Sequence, residues 1–77
     1  MKIYKVWDTI ERAHFKDDFI EEAAAHGMID DLLDAGQYPD KPCTVYTVDE
    51  YNAGHFVKRI DFSPSKAQEY HESLFES

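Results

Sequence analysis

The chain has 77 residues, of which 43% are hydrophobic and 31% are charged, and its formal net charge at pH 7 is −8. This composition predicts one folded domain with a modest core, because a disordered acidic tail would contain far fewer apolar residues. The negative charge argues against direct binding to nucleic acid, and a single cysteine excludes an intrachain disulfide.

The acidic residues are concentrated in the middle of the sequence. Residues 17–50 hold ten carboxylates and one lysine, a net charge of −9, whereas the rest of the chain holds seven bases and six acids. A local excess of this size favours a partner of opposite charge, but it does not specify a reaction.

The N-terminal third predicts a strand followed by a helix. Lys2 to Trp7 is rich in β-branched and aromatic residues, which suits a strand. Asp8 or Thr9 can cap a helix, and Glu11 stands where its carboxylate would complete a capping box with Asp8. The apolar residues that follow have helical spacing: Phe15, Phe19, Ile20, Ala23 and Ala24. They predict a first helix from about Thr9, with an alternative start near Lys16.

A glycine interrupts this pattern in the middle of the chain. The apolar residues after Gly27 are out of phase with those before it, which predicts a bend and a second short helix. We expect this helix to run from about Met28 to Ala35 and to end at Gly36 in the left-handed conformation. Gln37 to Pro42 contains two prolines and is predicted to be a loop.

The C-terminal half predicts a hairpin and a last helix. Thr44 to Val48 and His55 to Phe62 have strand composition, and Asn52-Ala53-Gly54 between them can supply the positive φ values of a hairpin turn. Ser63-Pro64 is a typical helix opening. The apolar stripe of this helix is Ala67, Tyr70, His71, Leu74 and Phe75.

These elements predict a single α+β domain, residues 1–77, in the order β-α-α-β-β-α. We expect the helices to pack on one face of a small, three-stranded, mainly antiparallel sheet. The position of the first strand relative to the hairpin stays open.

The sequence predicts no catalytic residues, no metal site and no cofactor. Glu22 and His26 are one helical turn apart, but no His-Glu-x-x-His, paired-cysteine or EF-hand pattern accompanies them. The three glycines are isolated, so no phosphate-binding loop is present, and Cys43 lacks an electropositive setting. A metal-dependent activity through His26 and its neighbours is therefore a remote alternative, and we expect a protein that is not an enzyme.

The acidic segment predicts binding to a protein partner with a basic surface. A nucleic-acid-binding complex is one partner of this kind. The residues expected to make this contact are Asp17, Asp18, Glu21, Glu22, Asp30, Asp31 and Asp34, with Tyr38 and Tyr51 as anchors. In size, acidity and mixed α/β pattern the chain resembles the small inhibitors that bacteriophages make against host nucleases, including anti-CRISPR and anti-restriction proteins. That resemblance implies a nucleic-acid mimic. The alternative is a helix face that is simply solvated.

The aromatic residues support a second hypothesis. They are more numerous than a small sheet obviously needs, which favours a homodimer formed through an aromatic sheet face, although they can also just fill the core. The relevant residues are Trp7, Tyr38, Tyr46, Tyr51, Phe56 and Phe75. The single cysteine and the lack of a signal-peptide pattern predict a cytoplasmic protein, and the short apolar runs predict no membrane association.

Overall fold

The computed structural model describes residues 1–39 and 45–75. Its elements are β1 (Lys2–Asp8), β2 (Ala13–Phe19), α1 (Glu22–Ala35), β3 (Tyr46–Asn52), β4 (His55–Asp61) and α2 (Pro64–Phe75). The strands form one antiparallel sheet in the order β2-β1-β3-β4. The α+β class is therefore confirmed, whereas the predicted three-stranded sheet and the order β-α-α-β-β-α are wrong. The predictions for Cys43 and for a strand start at Thr44 lie outside the described residues.

The largest correction concerns residues 9–19, which form a turn and strand β2 instead of the start of a helix. The Asp8 carboxylate accepts the backbone N–H groups of Ile10 and Glu11, at 2.8 and 3.0 Å, as a helix cap would. Arg12 then takes a φ of 57°, and the chain reverses into β2. The same side-chain contacts open either a helix or a turn, so the capping pattern was ambiguous.

The predicted bend at Gly27 is also wrong, because α1 is one continuous helix from Glu22 to Ala35. Gly27 is buried at the crossing of the two helices, where a Cβ would overlap Cδ2 of Tyr70 and lie 2.7 Å from its Cε2. The glycine is therefore required for close packing and does not break the helix. Gly36 ends α1 as predicted, with a φ of 71°.

The hairpin and the last helix are confirmed, but the predicted end of the first hairpin strand at Val48 is wrong, because β3 continues to Asn52. Ala53 and Gly54 have φ values of 52° and 82°, the paired positive angles of a two-residue hairpin turn between β3 and β4. The Ser63 carbonyl accepts the N–H of Ala67 at 3.1 Å, and Pro64 is the first residue of α2. The turn residues and the helix-opening residues each favour only the structure that is observed, so these two elements were predictable from the sequence.

The core lies between one face of the sheet and α1. Val6 and Val48 face each other across the two central strands and are fully buried, as are Ala25 and Ile29 of α1. Tyr46, expected on an aromatic interface, is instead in this core and only 1% exposed. Because α2 packs mainly on α1, both helices lie on this side of the sheet. The opposite sheet face carries Trp7, paired in register with Thr47.

Candidate functional site

The two helices and their flanking residues carry most of the negative charge. We call residues 21–36 and 63–75 the helical layer; its only base is Lys66, against seven carboxylates, for a net charge of −6. The carboxylates are Glu21, Glu22, Asp30, Asp31, Asp34, Glu69 and Glu72. The strands and their hairpin turns, residues 2–19 and 46–61, hold seven acids and six bases, a net charge of −1. The charge of the described residues is thus strongly polarised between the two layers.

The structure separates two of the predicted contact residues from the other acids. Asp17 and Asp18 lie on the edge strand β2, not on a helix, and Asp18 accepts a hydrogen bond from Nζ of Lys5 at 2.6 Å. The sequence placed them on the same helix as Glu22 because Phe15 and Phe19 have a spacing of four residues. Residues four apart also lie on the same face of a strand, so this spacing does not distinguish a helix from a strand.

Several acids of the helical layer have partners within the protein. Asp30 and Asp31 of α1 lie 3.2 and 3.7 Å from Nε2 of His71 of α2. Glu21 and Asp34 are exposed, and neither makes an ion pair with another residue in the described ranges. Around α1, the carboxylates most available to a partner protein therefore lie near the two ends of the helix.

Glu22 and His26 are in contact, as their helical spacing predicted, and their role is structural. His26 is fully buried; its Nε2 lies 3.0 Å from Glu22 Oε2, and its Nδ1 accepts the backbone N–H of Ser63 at 3.1 Å. An accepting Nδ1 requires a neutral ring with the proton on Nε2. Burial lowers the pKa of His26, and the hydrogen bond and charge of Glu22 only partly oppose this shift. His26 thus ties the start of α2 to α1.

The two predicted tyrosine anchors lie in different parts of the molecule. Tyr38 is half-buried against the core, and its hydroxyl donates to Asp8 Oδ2 at 3.0 Å. Desolvation and this hydrogen bond raise the pKa of Tyr38 to about 12. Tyr51 is half-buried on the opposite sheet face, where its ring contacts His14 and Phe56. The structure does not bring them together on one surface.

The opposite sheet face carries a polar network centred on Asp49, which we call the Asp49 cluster (Trp7, His14, Asp49, Tyr51 and Arg59). Arg59 donates from Nε and from its terminal nitrogen to the two carboxylate oxygens of Asp49, at 2.7 and 2.9 Å. His14 Nε2 lies 2.7 Å from the same carboxylate, and the Arg59 guanidinium stacks 4.7 Å from the Trp7 ring centre. Asp49 is 1% exposed although it points away from the main core.

The electrostatics of this network keep Asp49 ionised. Burial raises the pKa of Asp49, but hydrogen bonds and positive charge from Arg59 and His14 outweigh it, so the pKa falls below its usual value. Asp49 and Glu50 are adjacent in the sequence. As neighbours in β3 they point to opposite faces, and the alternation of Thr47, Asp49 and Tyr51 was the signal that could have grouped Asp49 with the aromatic residues.

One pocket of about 310 Å³ lies beside the turn between β1 and β2. Two of its polar side chains already have partners in the fold: Asp8 accepts from two backbone N–H groups and from Tyr38, and Gln37 Oε1 accepts from the Tyr46 hydroxyl at 3.3 Å. The pocket is lined by Asp8, Glu11, Ala13, His14, Phe15 and Gln37. Asp8 and Gln37 thus use these oxygens within the fold, whereas the Glu11 carboxylate makes no hydrogen bond or ion pair with another described residue.

One group in the described part of the chain has donor atoms close enough to hold a metal ion. It consists of Asp30, Asp31 and His71, whose ligand atoms all lie within 4.8 Å of one another. From the sequence, metal binding through His26 and its neighbours was only a remote alternative. In the structure, Nδ1 of His26 accepts the backbone N–H of Ser63 and is not available to a metal. His71 was read only as part of an apolar stripe, so its position over α1 depends on the packing of α2.

No protein-family model, curated protein or solved structure matches this chain significantly. Within the described residues, neither helix is long and apolar enough to cross a membrane.

Proposed function

We propose that the chain is a non-enzymatic protein-binding module that places its acidic helical layer against a basic surface of a partner protein. The observation that carries this proposal is the polarised charge, −6 in the helical layer against −1 in the sheet with its turns. A concentrated field of one sign steers a partner of the opposite sign and fixes its orientation on contact.

The position of Asp34 supports a role outside folding. It lies in the last turn of α1, which contains no base, and there the helix dipole disfavours a carboxylate. Asp34 also makes no ion pair with a described residue. A carboxylate that costs the helix stability and has no ion-pair partner among residues 1–39 and 45–75 is best explained by an external one.

The finer form of the proposal is that the partner's basic surface binds nucleic acid, so that this protein acts as a competitor, as phage inhibitors of host nucleases do. A surface that binds phosphates offers clustered lysine and arginine side chains, and these also bind carboxylates. The exposed acids of the helical layer supply carboxylates on one side of a small domain. Tyr38 does not add to this surface, because its hydroxyl is bonded to Asp8.

The proposal that the protein is not an enzyme rests on the pocket beside the β1-β2 turn. Catalytic acids and bases need free lone pairs or protons aimed at a substrate. Asp8 and Gln37 instead use their oxygen atoms to hold the fold, and His14 is engaged with Asp49, so the Glu11 carboxylate has no second free acid or base beside it among the described residues of the pocket.

The test is affinity capture from host lysate with the untagged protein, followed by binding measurements with the purified partner. We expect the dissociation constant to rise with salt concentration, and the double variant Asp34→Lys with Glu69→Lys to weaken binding by about tenfold or more. The matched control is the double variant Asp17→Lys with Asp61→Lys, an equal charge reversal at exposed positions of the sheet, which should change the affinity by less than about twofold. Salt-insensitive binding, or equal effects of both variants, contradicts the proposal.

A second candidate is a homodimer formed through the sheet face that the helices leave uncovered. Phe56 and Val57 on the edge strand β4 are 54% and 49% exposed, and Phe56 stacks edge-on against Tyr51. Exposed aromatic residues beside a free strand edge favour association with a second copy. Phe56→Asp should then give a folded monomer by sedimentation analysis. A wild-type protein that is already monomeric at high micromolar concentration contradicts this candidate.

A further inference from the structure

We propose that Asp30, Asp31 and His71 form a binding site for a first-row divalent transition metal ion, with Zn²⁺ as the probe. The donors come from two elements: the carboxylates project from α1 and the imidazole projects from α2. The site is separate from His26, and the inference does not depend on the proposed binding function.

The distances between donor atoms suit such an ion. Ligands at about 2.0–2.2 Å from a tetrahedral zinc ion lie roughly 3.2–3.6 Å apart. His71 Nε2 lies 3.2 Å from Asp30 Oδ2 and 3.7 Å from Asp31 Oδ1. All three ligand atoms fall within 4.8 Å of one another, so small rotations of the two carboxylates bring them to the zinc spacing. The fourth position is left to water.

The chemistry of the donors selects the class of metal. An imidazole nitrogen is a good ligand for zinc, copper or nickel, whereas magnesium and calcium prefer oxygen ligands alone. Two carboxylates balance the charge of a divalent ion, and the net charge of −6 in the helical layer adds a favourable long-range field.

The positions of the donors are held by the crossing of the two helices. Gly27 of α1 lies directly against the Tyr70 ring, next in sequence to His71, and His26 binds the Ser63 N–H at the start of α2. The His71 side chain is 30% exposed and the Asp30 side chain 40% exposed, so an ion can reach them from solvent. A bound ion would cross-link α1 to α2 and stabilise the helix that depends on α1 for its packing.

The experiment measures the melting temperature of the full chain with zinc chloride in a buffer that does not chelate metals. We expect about 0.1 mM Zn²⁺ to raise the Tm by at least about 5 °C, and the increase to disappear in His71→Gln. Asp34→Asn removes a carboxylate of α1 outside the site, and Cys43→Ser removes the thiol; both should keep the increase. Magnesium chloride at the same concentration should leave the Tm unchanged.

Four results would overturn the inference: no increase with Zn²⁺, the same increase in His71→Gln, loss of the increase in Cys43→Ser, or an equal effect of Mg²⁺. The last would mean that cations only screen the acidic layer. If His71→Gln does not fold, nitrogen NMR of the wild-type histidines replaces it. One equivalent of Zn²⁺ must then shift the His71 Nε2 resonance, and a shift at another histidine alone, or at none, rejects the site.

Discussion

Gly27 shows how a single residue sets the distance between the two helices. In an isolated helix, Gly27→Ala would be favourable by about 1 kcal/mol, because alanine has the higher helix propensity. In this protein the added methyl group would overlap the Tyr70 ring. The close approach of α1 and α2 therefore depends on the missing side chain.

We expect Gly27→Ala to lower the free energy of unfolding by about 1–3 kcal/mol, the usual cost of overpacking a core. Urea denaturation followed by circular dichroism measures the change. Ala35→Gly, at an exposed position of the same helix, is the matched control and should cost about 1 kcal/mol or less, from helix propensity alone. A more stable Gly27→Ala variant would show that Tyr70 moves aside without cost.

Positions where the local sequence pattern fits only one structure were predictable, and positions where it fits two were not. Gly36 and Gly54 have the positive φ values that the sequence required of them. Asp8 makes the hydrogen bonds of a cap, but they stabilise a turn, because no local signal distinguishes these outcomes. Asp49 and His71 gained their partners from tertiary contacts, which one sequence does not reveal.

At the scale of elements, His26 connects α1 to the start of α2 only while its ring is neutral. A proton on Nδ1 would face the donating N–H of Ser63, so protonation removes this contact. Glu22 and Lys66 are the charged groups nearest to the ring, and Lys66 further disfavours its positive form. The junction between the two helices is thus sensitive to acid.

Stability should fall as the pH drops below 6.5, the ordinary pKa of histidine. The pKa of His26 is lower in the folded protein, so the unfolded chain binds more protons in this range and acid favours it. The stabilisation is complete above pH 6.5 and is lost as the pH falls towards the folded pKa. Urea denaturation at pH 8, 6 and 5 measures how steeply the free energy of unfolding changes with pH, and His26→Gln should reduce this slope. An unchanged slope in this variant would assign the acid sensitivity to other groups.

The main error in element prediction also has a physical cause. Phe15 and Phe19 both pack against the core, and their spacing of four residues is compatible with a helix or a strand. A register shift in the pairing of β2 with β1 further removes the plain alternation that identifies a strand. The hairpin and α2, which have strong turn and cap residues, were predictable from the sequence.

For the whole molecule, the two layers differ in charge and in surface chemistry. The helical layer is acidic, while the outer sheet face presents aromatic rings around ion pairs. The acids of the helical layer repel one another, and this repulsion destabilises the folded state at low salt. Charge placement therefore opposes stability in the part of the molecule that we assign to partner binding.

Asp34→Lys should stabilise the protein by about 0.5–1 kcal/mol at low salt, because it reverses an unfavourable charge at the end of α1 and reduces repulsion. The gain should shrink when the sodium chloride concentration is raised from 10 to 500 mM. Thermal denaturation at both concentrations measures this, with Asp17→Lys on β2 as the control for an equal charge change in the sheet layer. A loss of stability in Asp34→Lys would reveal an internal role for the carboxylate.

The strand order has a consequence for biosynthesis. β1 precedes β2 and α1 in the sequence, but its second neighbour in the sheet is β3, with Val6 opposite Val48. A nascent chain on the ribosome can form the β1-β2 hairpin and α1 early, yet the buried edge of β1 stays open until β3 has been synthesised. During that interval the β3-β4 hairpin of another chain can fill the place, so exchange of halves between two copies is the misfolding route that this topology favours.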